Sequence, residues 1–335
     1  MHFLRIIDVN LNRLDESLKL IEDIARFHLA DRNLLSKTRK IRSTFLKLKQ
    51  VLPMKAVVGA RKSNIDLGRK AGFDSKSRVN TTATILANLT RAKEASRTIE
   101  EILKTSDFRL SNQMKEIRFQ IYDLEKDVIV HVEKEFDPYL HAIIDERYLP
   151  VRDLDRVIRT LVAGGATMIQ LRIKSLSDRI FLRIARRIRK AIEKSGTKFI
   201  VNNRTDIAVA CNAHGVHLGQ DDMTPRSARK IIGDTAIIGV SAHTLKQAQK
   251  AEKDGADYLG VGAIYATATK DDATICGLHT LKRIARSVHV PVIGIGGVND
   301  RNYKAILRAG AAGIAVASFL FEGKMKDRIR SLTGK

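Results

Sequence analysis

The strongest constraint on the fold is a regular alternation of Val/Ile-rich stretches with basic, helix-like stretches from about residue 136 onward. Strands that alternate with helices form parallel sheets, and eight such units are typical of a closed barrel rather than an open sheet. We therefore predict an α/β domain over 136–335, a (β/α)8 TIM barrel with its functional site at the C-terminal strand ends. The predicted strands are 139–145, 168–173, 198–202, 215–219, 236–242, 258–264, 291–297 and 313–318.

The first 135 residues have a different pattern. They contain a single proline, and their apolar residues recur at helical spacing, as in Leu11, Leu14, Leu18 and Ile21. This pattern predicts an all-α domain over 1–135. Its main helices are expected near 9–30, 33–51, 80–105 and 109–134. Between the second and third helices we predict a polar loop over 57–78, which is too long to be a mere connector.

The helical domain also contains an internal repeat. The segments 10–24 (NLNRLDESLKLIEDI) and 88–102 (NLTRAKEASRTIEEI) are identical at seven of fifteen positions. The shared needs of amphipathic helices explain the apolar matches, but not the matches of asparagine, arginine and the first glutamate. We therefore predict a duplicated helical pair.

Composition narrows the class of protein. No stretch of about 18 uncharged apolar residues occurs, so we expect no membrane helix, and the start of the chain has no secretory signal pattern. The chain has only two cysteines, Cys211 and Cys276, and neither lies in a metal-type spacing; we expect two free thiols in a reducing cytoplasm. The formal net charge is +23, yet the chain has no tryptophan and no RNA-binding motif. Small anionic substrates therefore explain the charge better than nucleic acid; the sequence leaves homo-oligomerisation open.

Polar residues recur at the predicted C-terminal strand ends. In the stretch GGATMIQLRIKSLSD (164–178), Gln170, Arg172 and Lys174 lie at every second position, so their side chains share one face of the strand. Taken singly, these groups could form a satisfied polar layer, a helix cap or a solvated loop. Taken together, the cations and the carboxylates Asp221 and Asp222 suit a diphosphate with Mg²⁺. The glycine-rich turns after the last two strands suit a second phosphate.

Seven motifs, in order, carry a resemblance to a known family. The stretches QLRIK, VNNRTD, GVHLGQDD, GVSAHT, ADYLGVGAIYATATK, PVIGIGG and GIAVAS resemble those of thiamine phosphate synthases, over roughly 139–320. The resemblance implies a transferase that joins a pyrimidine diphosphate to a thiazole phosphate, with Mg²⁺, and releases pyrophosphate.

The resemblance also assigns residues, with Arg172 and Lys270 as the catalytic pair. It places the pyrimidine diphosphate against Gln170, Leu171, Arg172, Ile173, Lys174 and Asn202, with Ser241 and Lys270 on its diphosphate. It places the thiazole phosphate against Thr267, Ala268, Thr269, Gly297, Ala317 and Ser318. Asn203 and Asp222 fall where the family has two Mg²⁺-binding carboxylates.

One departure from the family pattern keeps a rival open. Asn203 stands where the family has an aspartate, and a thiazole tautomerase with the same barrel lacks these carboxylates and uses a histidine near His243. Against this rival, the motifs QLRIK, GQDD and TATK are retained.

The helical domain is similar to one fused ahead of thiamine phosphate synthases in some bacteria, for which pyrimidine phosphate kinase activity is proposed. We find no P-loop and no kinase motif series, so a docking or dimerisation module is an equal alternative. The candidates for phosphate contact are Arg13, Arg61, Lys62, Arg69 and Arg91.

Overall fold

The computed structural model describes residues 2–29, 31–61, 78, 81–149, 152–267 and 275–334. The chain divides into two compact units, Met1–Val132 and Glu133–Lys335. The boundary that we predict between residues 135 and 136 stays a prediction.

The first unit is helical, as the sequence predicts. Its helices are α1 (His2–Phe27), α2 (Arg32–Val51), α3 (Met54–Gly59), α4 (Thr81–Leu103) and α5 (Phe108–Glu133). Helix α1 begins earlier than predicted because its apolar face continues upstream through the buried Ile7. Helix α3 corrects the predicted loop at its start, since Val57 packs into the core and holds a further helical turn there. Residues 62–77 of that loop lie outside the described residues.

Helices α1 and α4 pack against each other and carry the two copies of the predicted repeat. Asn10 and Asn88 are equivalent in the repeat, and both are buried. Each side-chain Nδ2 donates to the carbonyl four residues earlier, at 2.8 Å. A polar side chain at these positions is therefore satisfied within its own helix. The equal roles of the two asparagines support a duplication, which stays a prediction.

The second unit is a closed barrel of eight parallel strands in the order β1 to β8, which confirms the predicted fold class. The strands are β1 (Leu140–Asp145), β2 (Met168–Arg172), β3 (Lys198–Asn202), β4 (Gly215–Leu218), β5 (Ile237–Ala242), β6 (Tyr258–Val261), β7 (Val292–Ile295) and β8 (Gly313–Val316). The helices are α6 (Leu154–Ala163), α7 (Asp178–Ala191), α8 (Thr205–Ala210), α9 (Pro225–Ile232), α10 (Leu245–Lys253), α11 (Gly277–Ala285), α12 (Tyr303–Arg308), α13 (Ser318–Phe321) and α14 (Met325–Thr333).

Successive side chains along each strand point to opposite faces of the sheet, which gives the barrel two apolar layers. One face of each strand packs under the helices, and the other fills the barrel interior. The interior layer is formed by Ile143, Met168, Ile200, Ile237, Tyr258, Ile293 and Ala315. The Tyr258 ring fits only because Gly239 on the neighbouring strand has no side chain: a Cβ there would lie 2.0 Å from the ring. None of the helices that the structure describes is long and apolar enough to cross a membrane.

Candidate active site

A cavity of about 530 Å³ opens at the C-terminal ends of the strands. It brings together most of the described residues that the sequence singles out: Gln170, Arg172, Lys174, Asn202, Asn203, Asp222, Ser241, Thr267, Gly297, Ala317 and Ser318. Leu171 and Ile173 do not line it, because they face the outer apolar layer under the helices. Only their backbone could reach a ligand in the cavity. Ala268, Thr269 and Lys270 lie outside the described residues.

Arg172 lines the cavity in an ion pair that the sequence reasoning missed. Its Nη1 donates to Oδ2 of Asp145, which ends β1 directly beside Arg172 in the strand register. The Asp145 side chain is 1% exposed, whereas that of Arg172 is 24% exposed. The signal was present in the sequence, since the predicted first strand, YLHAIID, ends in an aspartate next to a strand that ends in cations.

Glu146, in the turn after β1, contacts the backbone just after β2. Its Oε2 accepts from the backbone N–H groups of Lys174 at 2.7 Å and Ser175 at 2.9 Å. Its Oε1 accepts from the Ser175 hydroxyl. The hydrogen bond from the Ser175 side chain, followed by that from the Lys174 backbone, lowers the pKa of Glu146 below its ordinary value.

Asn203 and Asp222 lie side by side. The Asn203 Nδ2 donates to Asp222 Oδ1 at 2.9 Å, and the Gly219 backbone N–H donates to Asp222 Oδ2 at 2.6 Å. Asn203 has a φ of 64°, in the left-handed region that asparagine and aspartate tolerate best among residues with a Cβ. Among the described residues, no group of three or more His, Cys, Asp or Glu side chains could hold a metal. One carboxylate with a neighbouring amide fits an ion held mainly by substrate phosphates, which is the usual arrangement for Mg²⁺.

Two sets of hydrogen-bonded polar side chains also line the cavity. His217 is hydrogen-bonded through Nε2 to the Ser241 hydroxyl at 3.0 Å and through Nδ1 to the Tyr258 hydroxyl at 2.9 Å. Gln170 Nε2 lies 3.2 Å from His141 Nε2. Burial lowers the pKa of His217 to about 4 and that of His141 to about 3. Both imidazoles are therefore neutral near pH 7, and neither acts there as a cation toward a phosphate.

Two glycines follow β7 directly, and both have a positive φ, 94° at Gly296 and 65° at Gly297. A Cβ at Gly297 would lie 2.4 Å from the carbonyl oxygen of Ala266. The turn therefore needs glycine for two reasons, its conformation and its close approach to the loop after β6. It faces the cavity together with Ala317 and Ser318 at the end of β8.

His243, the residue on which the rival activity would depend, also lines the cavity. Its Nδ1 donates to the carbonyl oxygen of Gly262, and its backbone N–H donates to Gln247 Oε1 at 2.8 Å. The ring is therefore held at a fixed orientation at the end of β5.

A closed parallel barrel with cations, a carboxylate and a glycine turn at its C-terminal mouth defines a class: a (β/α)8-barrel enzyme that acts on small phosphorylated molecules. A comparison with protein families narrows this class. Residues 140–320 match the family described as thiamine monophosphate synthase, and residues 5–127 match the ThiD2 family. The chain belongs to the thiamine monophosphate synthase family, whose members are transferases that use a metal ion.

Named relatives agree with this assignment. The thiamine-phosphate synthase of Clostridium acetobutylicum is 44% identical over 198 residues, covering 59% of this chain and 94% of that protein. The thiamine-phosphate synthase of Prochlorococcus marinus subsp. pastoris is 34% identical over 331 residues, covering 96% of this chain and 91% of that protein. The solved structure of the thiamine phosphate pyrophosphorylase from Pyrococcus furiosus is 36% identical, with a TM-score of 0.55, and covers 60% of this chain and 95% of that one.

Proposed function

We propose that the barrel joins 4-amino-5-hydroxymethyl-2-methylpyrimidine diphosphate to thiazole phosphate, forming thiamine monophosphate and pyrophosphate. The observation that carries this proposal is that cationic, carboxylate and glycine-turn groups line one and the same cavity at the strand ends. Two anionic substrates that must react with each other need two anion sites facing one space. Membership of the synthase family supports the same reaction.

The reaction breaks the bond between the pyrimidine methylene carbon and the diphosphate oxygen and forms a bond from that carbon to the thiazole nitrogen. The electron pair of the broken bond leaves with pyrophosphate, while the electron-rich aminopyrimidine supports the positive charge on the methylene carbon. The protein's task is to stabilise charge that develops on the leaving group and to hold the thiazole nitrogen in line. No protein nucleophile is required.

The cations at the end of β2 are assigned to the leaving diphosphate. Arg172 offers a planar set of N–H donors suited to phosphate oxygens, and Lys174 offers an ammonium group. Ser241 adds a hydroxyl whose position is fixed by His217. Lys270 is assigned to the same diphosphate from the family motif alone, because it lies outside the described residues. Gln170 and Asn202 are assigned to the pyrimidine.

Mg²⁺ is the metal that suits this chemistry, because it prefers oxygen ligands and binds readily to a diphosphate. When bound, it would neutralise part of the leaving group's charge. Asp222 and the Asn203 carbonyl oxygen are the protein groups that we assign to it. Because Asn203 contributes no charge, we infer that this enzyme depends more strongly on Mg²⁺ concentration than a relative with two carboxylates.

The second phosphate, on the thiazole, is assigned to the turns after β7 and β8 and to the loop after β6. Gly297, Ala317 and Ser318 line the cavity, and backbone N–H groups in such turns suit phosphate oxygens. Thr267 and Thr269 complete this assignment through the family motif.

The helical unit is proposed to transfer a phosphoryl group from ATP to 4-amino-5-hydroxymethyl-2-methylpyrimidine monophosphate. The product is the pyrimidine diphosphate that the barrel uses as a substrate. The match of residues 5–127 to the ThiD2 family supports this proposal, and a docking module is the alternative. Arg61 is already held in a two-pronged ion pair with the buried Asp8, at 2.6 and 2.7 Å, while Arg13 is exposed. Lys62 and Arg69 lie outside the described residues.

The synthase proposal is tested by incubating the full chain with both substrates and Mg²⁺ and detecting thiamine monophosphate by mass spectrometry. Omission of either substrate must abolish the product. A parallel sample with thiazole phosphate alone tests the rival tautomerase. Isomerisation that is lost in His243→Ala, with no thiamine monophosphate formed, would overturn the synthase assignment.

The kinase proposal needs one further sample. The full chain receives pyrimidine monophosphate, ATP and thiazole phosphate. Thiamine monophosphate formed only when ATP is present supports the kinase. Its absence, in a preparation that is active with the pyrimidine diphosphate, favours the docking module.

Two free cysteines, Cys211 and Cys276, are consistent with the proposed cytoplasmic location.

A further inference from the structure

Two adjacent carboxylates, one at the last residue of β1 and one just after it, contact the segment that carries Arg172 and Lys174. Asp145 is the register partner of Arg172, and Glu146 follows it in a short 3-10 turn. Neither acid belongs to the set of residues assigned to substrate or metal. Asp145 nevertheless contacts the Arg172 side chain, and Glu146 contacts the Lys174 backbone.

The two oxygens of Asp145 have different partners. Oδ1 accepts from the backbone N–H of Arg147 at 3.1 Å and from the Arg147 Nε at 3.2 Å, which caps the 3-10 turn. Oδ2 accepts from Nη1 of Arg172. A turn cap needs only one oxygen, so capping does not explain the second contact. Burying a carboxylate is costly unless it is paired, and this buried pair fixes one nitrogen of the Arg172 guanidinium.

A guanidinium has five N–H donors in a rigid plane. When one edge is fixed by Asp145, the plane of Arg172 and the direction of its other donors are fixed as well. Glu146 adds a second constraint, because it accepts from the backbone N–H groups of Lys174 and Ser175. The Lys174 side chain therefore begins from a fixed backbone position.

We infer that Asp145 and Glu146 are positioning residues of the diphosphate site, which hold Arg172 and the Lys174 backbone in the geometry that receives the leaving pyrophosphate. This inference rests on the proposed function. It assigns to the two acids no contact with substrate.

Charge and position predict opposite results for the loss of Asp145. If only charge mattered, Asp145→Asn would make the mouth more positive and tighten the binding of an anion. If position matters, the same variant loosens Arg172 and weakens binding. In metal sites, loss of a group that orients a ligand typically costs about 10- to 100-fold. We expect a loss of that order in affinity for inorganic pyrophosphate.

The experiment uses the full chain and calorimetric titration with two probes, inorganic pyrophosphate in the presence of Mg²⁺ and thiazole phosphate. We expect Asp145→Asn to weaken pyrophosphate binding about 10- to 100-fold and to leave thiazole phosphate binding within about twofold. Asp155→Asn, which breaks an Asp–Arg pair between the outer helices α6 and α7, is the matched control and should change neither.

A double-variant cycle tests whether Asp145 acts through Arg172. In the background of Arg172→Gln, adding Asp145→Asn should cause no further loss of pyrophosphate affinity. Losses that multiply in D145N/R172Q, tighter pyrophosphate binding by D145N, or an equal loss for both probes would each overturn the inference. If D145N does not fold, Glu146→Gln replaces it. A selective loss of pyrophosphate affinity in Glu146→Gln then supports the inference, and unchanged affinity overturns it.

Failure of the proposed function is seen separately, because turnover of the parent chain is measured first. A parent that forms no thiamine monophosphate refutes the synthase proposal. The pyrophosphate titrations then still report whether the two acids orient an anion site.

Discussion

Asn203→Asp restores a second carboxylate beside Asp222, and its consequences can be worked out from the geometry. The parent amide donates to Asp222 Oδ1 at 2.9 Å. The variant replaces this hydrogen bond with two like charges whose centres lie roughly 4 Å apart. At an effective dielectric constant of about 20, such a pair repels by about 4 kcal/mol. Both residues are partly exposed, so solvent screening reduces the repulsion to roughly 2 kcal/mol.

The metal-free variant should therefore be less stable than the parent. For a domain of the barrel's size, a change of about 2 kcal/mol lowers Tm by roughly 4–8 °C. The backbone adds little strain, because aspartate, like asparagine, is among the residues with a Cβ that tolerate the left-handed φ of residue 203 best. Bound Mg²⁺ should reverse the effect, since the two carboxylates then attract a shared cation.

The assay has two parts. Thermal unfolding is followed with a chelator and again with saturating Mg²⁺, and the Mg²⁺ concentration for half-maximal synthase turnover is measured for parent and variant. Asn212→Asp is the matched control, because Asn212 has a similar positive φ of 53° but does not line the cavity. We expect Asn203→Asp to lower the half-maximal Mg²⁺ concentration about tenfold, since metal affinity in such sites rises with ligand charge.

The reasoning would be refuted if the Tm of Asn203→Asp were the same with and without Mg²⁺ and if its half-maximal Mg²⁺ concentration equalled that of the parent. Position 203 would then lie away from the metal. If Asn203→Asp has a lower half-maximal Mg²⁺ concentration but the same metal-free Tm as the parent, only the repulsion estimate is refuted.

Four further predictions follow from the same geometry. Arg172→Ala should lower turnover about 10²-fold or more, because it removes a donor to the leaving group; Arg187→Ala on α7 should retain parental turnover in the same steady-state assay. Gly297→Ala should raise the KM for thiazole phosphate, because its Cβ meets the Ala266 carbonyl at 2.4 Å in a turn with positive φ; an unchanged KM contradicts this. Burial lowers the pKa of His217 to about 4. Its contribution to the free energy of unfolding is therefore full above pH 6.5 and is lost as pH falls toward 4, by about 1.4 kcal/mol per pH unit. Denaturant titrations at several pH values should show a different dependence of the unfolding free energy on pH for the parent and for His217→Gln. Residues 136–335 expressed alone should form a soluble, active barrel; an insoluble or inactive fragment, with an active full-length chain, would place part of the site in the helical unit.

The fold could be predicted because its main signals are local in sequence. Each strand is a short Val/Ile-rich run bounded by polar residues, so the predicted 198–202 coincides with β3, and 168–173 differs from β2 by one residue. Helix α3 was missed because a helix of six residues is too short to show helical periodicity.

The site could be predicted in part, because parallel strands bring their C-terminal residues together. Alternation correctly put Gln170 and Arg172 on the cavity side and leaves Leu171 under the helices. The pairing of Asp145 with Arg172 was missed because it depends on the register between neighbouring strands. The contact of His217 with Tyr258 depends on the room left by Gly239, which no local pattern records.

The most direct test of the central claim is the amount of thiamine monophosphate and of pyrophosphate formed by the full chain from pyrimidine diphosphate and thiazole phosphate, titrated with Mg²⁺. The account predicts that both products appear in equal amounts, only when both substrates are present, and with a strong dependence on Mg²⁺. Pyrophosphate released without thiamine monophosphate, or no product at any Mg²⁺ concentration, would contradict it.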